Sequence, residues 1–130
     1  MIVVDASAMI DSLLRRPGAE AAAARLFRGR ETLHAPHLLD VEVAQVLRRY
    51  VRTGALGAER AAQALDDLAD FPLLRYPHDL LLSRVWRLRD NLTAYDAVYI
   101  ALSETLGATL VTRDARLVGV PGHRAQVELV

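Results

Sequence analysis

The chain contains no cysteine. Disulfides, thiolate zinc sites and cysteine nucleophiles are therefore excluded. It contains no lysine either, since all 16 basic residues are arginine. That removes P-loop phosphate chemistry, Schiff-base formation and every other site built on a catalytic lysine. No apolar run approaches the ~18 residues of a membrane-spanning helix. No basic segment precedes Ile2, and Asp5 follows at once, which is unlike a signal peptide. Net charge is also lacking, because 16 acidic residues balance the arginines. A nucleic-acid binder is usually more basic than this, so such a role needs local charge segregation. No repeat, low-complexity tract or linker interrupts the 130 residues, 52% of which are hydrophobic. The expectation is one soluble, cytoplasmic domain (1–130) with a real core and no membrane contact.

What is present begins with Ile2-Val3-Val4-Asp5-Ala6-Ser7. Apolar β-branched residues run straight into an aspartate, as in a buried strand that delivers a carboxylate to a sheet rim. Ser7–Leu14 predicts a short helix, with Ser7 or Asp5 as its cap. Ala19–Phe27 predicts another, ended by Gly29. Thr32–Ala35 reads as a strand, and Leu38–Arg52 and Ala58–Phe71 as helices. Leu73–Tyr76 is the next strand, and Leu80–Arg89 an amphipathic helix with Leu81, Val85 and Leu88 inward. Thr93 opens the most apolar helix, Ala94–Leu106, which Gly107 closes. Thr109–Thr112 is a strand, Arg113–Val118 a turn and short helix, and Ala125–Val130 a last strand. Strands alternating with helices predict an α/β fold, a parallel central sheet with helices on both faces.

Four acids stand in unusual places. Asp5 ends the first strand, and Asp114 follows the strand Thr109–Thr112, so both belong at the same sheet edge. Each is also explained as a helix cap. Glu42 lies between Leu39 and Val46 on an apolar stripe, where a carboxylate is costly unless paired or metal-bound. An ion pair to an arginine is its plain alternative. Asp96 sits in the first turn of the most apolar helix, where Thr93-Ala94-Tyr95-Asp96 resembles a capping box. Converging carboxylates raise one another's pKa, and a bound cation relieves them. All-oxygen ligands select hard ions, Mg2+ or Mn2+, which activate water for in-line displacement at phosphorus. Ser7 and Thr112, each two residues from one of these acids, are candidate supports. His34, His37, His78 and His123 lack metal-motif spacing and read as surface or loop residues. Trp86 and Tyr50 read as core or interface.

The ordered set Ile2–Ser7, Leu38–Ala44, Leu92–Ala97 (Leu-Thr-Ala-Tyr-Asp-Ala) and Leu110–Asp114 (Leu-Val-Thr-Arg-Asp) resembles the PIN-domain nucleases, specifically the VapC toxins of type II toxin–antitoxin systems. The resemblance covers essentially the whole chain. It implies Asp5, Glu42, Asp96 and Asp114 as metal-binding catalytic acids, with Ser7 and Thr112 beside them. It implies Mg2+- or Mn2+-dependent endoribonuclease activity with water as nucleophile, a homodimer, and a small VapB-like antitoxin that occupies the groove and active site. Arg15, Arg16 and Arg113 are candidate phosphate contacts. The helices 38–52 and 58–71 form either a groove for a partner helix or plain core packing.

Two other readings compete. A non-catalytic PIN-like module that binds nucleic acid or protein predicts lost acids, and all four are present. A phosphohydrolase or phospho-receiver also has an acidic strand-end pocket. A receiver needs a lysine, and an aspartyl-phosphatase usually has a second aspartate where Ser7 stands.

Overall fold

The structure is a computed structural model that describes residues 1–27 and 29–130. Five parallel strands form one sheet: β1 (Ile2–Val4), β2 (Leu33–Pro36), β3 (Leu73–Tyr76), β4 (Thr109–Thr112) and β5 (Val127–Leu129). Their spatial order is β3-β2-β1-β4-β5. Six α-helices among the described residues join them: α1 (Ala6–Leu14), α2 (Glu20–Phe27), α3 (Leu38–Arg52), α4 (Ala58–Asp70), α5 (Leu82–Arg87) and α6 (Ala94–Leu106). Short 3₁₀ turns lead into α5 and follow β4. No helix among the described residues is long and apolar enough to cross a membrane.

The order explains the composition of the strands. β1 lies between β2 and β4 with helices on both faces, so Ile2, Val3 and Val4 are all buried. An inner parallel strand has no wet face and so reads as an unbroken apolar run. α1 packs on α2, α3 and α4, while α6 lies across β1, β2 and β4 and is itself covered by α5. That position accounts for α6 being buried from Ala97 to Ser103. Gly107 ends it in the left-handed region at φ 61°, which glycine adopts without a Cβ penalty.

The chain winds outward through β1, β2 and β3 and then returns across the sheet to β4. The direction of winding therefore reverses between β1 and β4. Crevices at such switch points, outside the strand C-termini, are where open α/β sheets bind ligands. The register pairs Val4 with Val111, so the next residues, Asp5 and Thr112, emerge side by side at that reversal.

Several expectations need correction. His34 is not at the surface: it is buried in β2, with its ring between the Thr32 and Tyr76 hydroxyls at 2.7 Å each. Trp86 is 68% exposed and is not core. Arg89 stacks on its ring, 4.8 Å from the centroid. The last strand is shorter than 125–130, spanning Val127–Leu129.

Candidate active site

Asp5 is the N-cap of α1, and its Oδ1 accepts the Ala8 N–H at 3.0 Å. Only 6% of the residue is exposed. Two hydroxyls hold the rest of its carboxylate. Ser7 donates to Oδ1 at 2.7 Å, and the wholly buried Thr112 donates to Oδ2. The same hydroxyl oxygens accept backbone N–H groups from the turn after β4. Ser7 accepts from Arg113 at 3.0 Å and Thr112 from Asp114 at 2.9 Å. An amide can only donate, so each hydroxyl must turn its one proton towards Asp5. The two hydroxyls thus staple the β4 turn to the end of β1 and present donors to a carboxylate. Burial nevertheless outweighs these bonds and pushes the Asp5 pKa up, with the Asp114 charge adding to it.

The other three acids face the same space. A crevice of about 500 Å³ is lined by Asp5, Glu42, Asp96 and Asp114. They come from four separate places: the end of β1, the second turn of α3, the first turn of α6 and the turn after β4. Apolar residues of α1 and α3, among them Ile10, Leu38, Val41 and Val46, form the remaining wall.

Glu42 is half-buried and flanks the inward stripe of α3, which is Leu39, Val43 and Leu47. Its Oε1 accepts the Tyr99 hydroxyl at 2.8 Å. Burial raises its pKa, and the Asp5 and Asp96 charges raise it further. The arginine ion pair considered from the sequence belongs instead to Asp40, which pairs with Arg75 at 2.7 Å. Burial, then the Glu42 carboxylate and the Asp5 charge, push the Tyr99 hydroxyl well up, so it remains a donor. Asp96 follows the cap Thr93, whose Oγ1 accepts the Asp96 N–H at 3.2 Å. The Asp96 carboxylate has no hydrogen-bond or ion-pair partner among the described residues. Asp114 caps the 3₁₀ turn at Ala115–Leu117 and is gripped by the Arg116 guanidinium through both carboxylate oxygens. That contact lowers its pKa.

The Asp114 charge acts on Asp5, and the Asp5 and Asp96 charges act on Glu42. Among the described residues, however, no three Asp, Glu or His side chains are grouped tightly enough to grip an ion as they stand. The donor set still suits a hard cation: all ligands are oxygens, one carboxylate is unengaged, and burial and like charge disfavour the anionic cluster without a counter-charge.

The sequence reading did not single out Tyr99, Arg49 or Arg116, all of which line the crevice. Tyr99 carried a usable signal, because residues three apart share a helix face and Asp96 is three before it. None of the arginines named from the sequence lines the crevice, although two of them hold residues that do. Arg113 binds Asp11 at 2.9 Å and the Gly18 carbonyl at 2.7 Å. Arg16 binds the Tyr50 hydroxyl, and Arg15 closes α1.

The PIN-domain family model matches residues 2–122. Ribonuclease VapC1 of Mycobacterium tuberculosis is 43% identical over 129 residues, covering 98% of this chain and 96% of that protein. A solved structure of PAE2754 from Pyrobaculum aerophilum superimposes with a TM-score of 0.70 at 28% identity, covering 97% of this chain and 81% of the other. A toxin–antitoxin complex from Klebsiella pneumoniae shares the fold, with a TM-score of 0.67 at 20% identity over 98% of this chain and 96% of that one. With its sheet order, its switch-point acids and full-length kinship to VapC ribonucleases, this chain belongs to the PIN-domain family.

Proposed function

We propose that this protein is a VapC-type endoribonuclease toxin, dependent on Mg2+ or Mn2+, that hydrolyses RNA phosphodiester bonds in the cytoplasm. The observation that carries the reading is the convergence of Asp5, Glu42, Asp96 and Asp114 on one crevice at the sheet's switch point. Asp5 and Asp96 are assigned as the principal cation ligands, Asp114 as the acid that completes the set, and Glu42 as a ligand or an orienter of the attacking water. A hard divalent cation supplies water activation and charge neutralisation for in-line displacement at phosphorus.

The chain's own residues do the positioning. Ser7 and Thr112 fix the Asp5 carboxylate from two sides, and the buried strand behind it prevents retreat. Tyr99 fixes one oxygen of Glu42 and leaves the other free. The Thr93 cap holds the start of α6, and with it Asp96, at the rim.

A homodimer and a small VapB-like antitoxin are the proposed partners. The apolar wall along α1 and α3 supports the second, because it runs directly into the acids. An antitoxin helix laid on that wall would block the crevice. The test of the activity is cleavage of end-labelled single-stranded RNA with Mn2+. Wild-type protein is expected to cut, chelator is expected to stop it, and Asp96→Asn is expected to be inactive. Equal cutting by wild type and Asp96→Asn would refute the assignment.

A further inference from the structure

Arg116 is the one residue of the crevice whose placement works against the cation reading. Its Nε lies 3.0 and 3.1 Å from the two Asp114 oxygens, and its Nη2 makes a third contact with Oδ2. It also lies close enough to Asp96 for that charge to act on it. The guanidinium therefore stands among carboxylates where a cation is expected, as a charge of the right sign but the wrong geometry. The contact is not a buried structural pair. Arg116 is 81% exposed, and its backbone is held separately by its own N–H, which donates to Asp114 Oδ1 at 2.9 Å. Water-exposed ion pairs are weak, so a divalent ion can displace this one without disturbing the 3₁₀ turn.

Once displaced, the side chain has a second use. It is tethered at the lip of the crevice beside the four acids, and among the described residues the only other arginine lining it is Arg49 of α3. An RNA phosphate approaching four carboxylates needs a positive group beside them. Arginine matches phosphate with paired N–H donors.

We propose that Arg116 is a resident counter-cation that holds Asp114 while the acids lack an ion, and that becomes an RNA-phosphate contact when a divalent cation takes its place. This rests on the cation-dependent ribonuclease reading and adds an exchange of partners to it. The exchange makes two predictions of opposite sign for one substitution. Removing the guanidinium frees Asp114, so the cation binds more tightly. Removing it also deletes a phosphate contact, so RNA binds more weakly. A merely structural Arg116 would move neither quantity in this pattern.

The experiment is calorimetric titration of Mn2+ into chelator-treated wild type, Arg116→Ala and Arg116→Lys. It is paired with cleavage kinetics on a random-sequence single-stranded RNA at saturating Mn2+. Melting curves confirm that the exposed substitution leaves the fold intact. Arg116→Ala is expected to bind Mn2+ about two- to fivefold more tightly, the range set by a water-exposed ion pair. Its KM for RNA is expected to rise several-fold, more than kcat changes. The slope of log KM against log salt should shrink by about 0.7, one phosphate contact on a single strand. Arg116→Lys should recover part of the RNA binding. If wild type binds Mn2+ and Arg116→Ala binds it no more tightly, the exchange is overturned while the cation reading stands. A tighter Mn2+ site with unchanged KM and salt slope overturns the phosphate role. Failure of every variant, wild type included, to bind Mn2+ overturns both readings.

Discussion

Thr112→Val isolates the staple between the two central strand ends. Valine has nearly the shape of threonine, so the substitution removes a hydroxyl and leaves no large void. Thr112 is wholly buried, so water cannot replace what is lost. Two hydrogen bonds go: the one given to the Asp5 carboxylate and the one received from the Asp114 N–H. A bond to a charged group contributes about 1.5–3 kcal/mol and an ordinary one about 1 kcal/mol. The expected loss is therefore about 2–4 kcal/mol. A chain of 130 residues unfolds with an entropy of roughly 0.27 kcal/mol/K, so the melting temperature should fall by roughly 7–15 °C. Thr112→Ser keeps the hydroxyl and loses one methyl group, which costs about 1 kcal/mol. The assay is urea and thermal unfolding of all three proteins in chelator, with the urea slope checked for constancy. The ordering wild type, Ser, Val is expected. A valine variant within about 0.5 kcal/mol of wild type, or a serine variant as damaged as the valine one, would refute the staple.

Three further outcomes are expected. Tyr99→Phe removes the donor to Glu42; it should cost about 1–2 kcal/mol in unfolding experiments and weaken Mn2+-dependent cleavage, and unchanged cleavage would remove Tyr99 from the site. Asp5 and Glu42 have native pKa values raised above 3.8 and 4.5, so the native state holds their protons more firmly and the stability they contribute is lost as pH rises through those raised values. Glu31, Glu104 and Asp114 are lowered by their arginines, so their contribution is lost as pH falls below the usual carboxylate range. The metal-free protein should therefore be most stable in mild acid, and a urea midpoint rising steadily to pH 7 would contradict this. Glu104→Ala strips Arg84 of two hydrogen bonds and the Arg124 N–H of its acceptor; the expected loss is about 1–3 kcal/mol, read by urea unfolding, with RNA cleavage unaffected because the contact lies outside the crevice.

The fold was legible wherever burial is uniform along an element. β1 and α6 announce themselves because both lie between other layers and so are apolar almost throughout. Strand-end and helix-start positions carried Asp5, Asp96 and Asp114 to the right edge, because a parallel sheet sends all its strand C-termini one way. The adjacency of β1 and β4 is a different matter. It depends on the return across the sheet, and no local pattern encodes it. His34 was misplaced for the same reason: a strand buried on both faces shows no alternation by which to judge a histidine. Glu42 was placed on the stripe but flanks it, a rotation within the scatter of helical periodicity. The Arg116 contact was invisible because an arginine two residues from an aspartate is ordinary in sequence, and becomes informative only when Asp96 is seen to share the space.

The central claim is that these four acids, dispersed over the chain, form one site for a hard cation. Thermal unfolding of chelator-treated wild type and Asp96→Asn over a Mn2+ titration tests it most directly. An ion that binds only the folded protein adds about 2.7 kcal/mol at one hundred times its dissociation constant, or roughly 10 °C for a chain of this size. Wild type should rise by that amount, and Asp96→Asn should need far more Mn2+ for any rise. No shift in wild type, or the same shift in both proteins, would contradict the account.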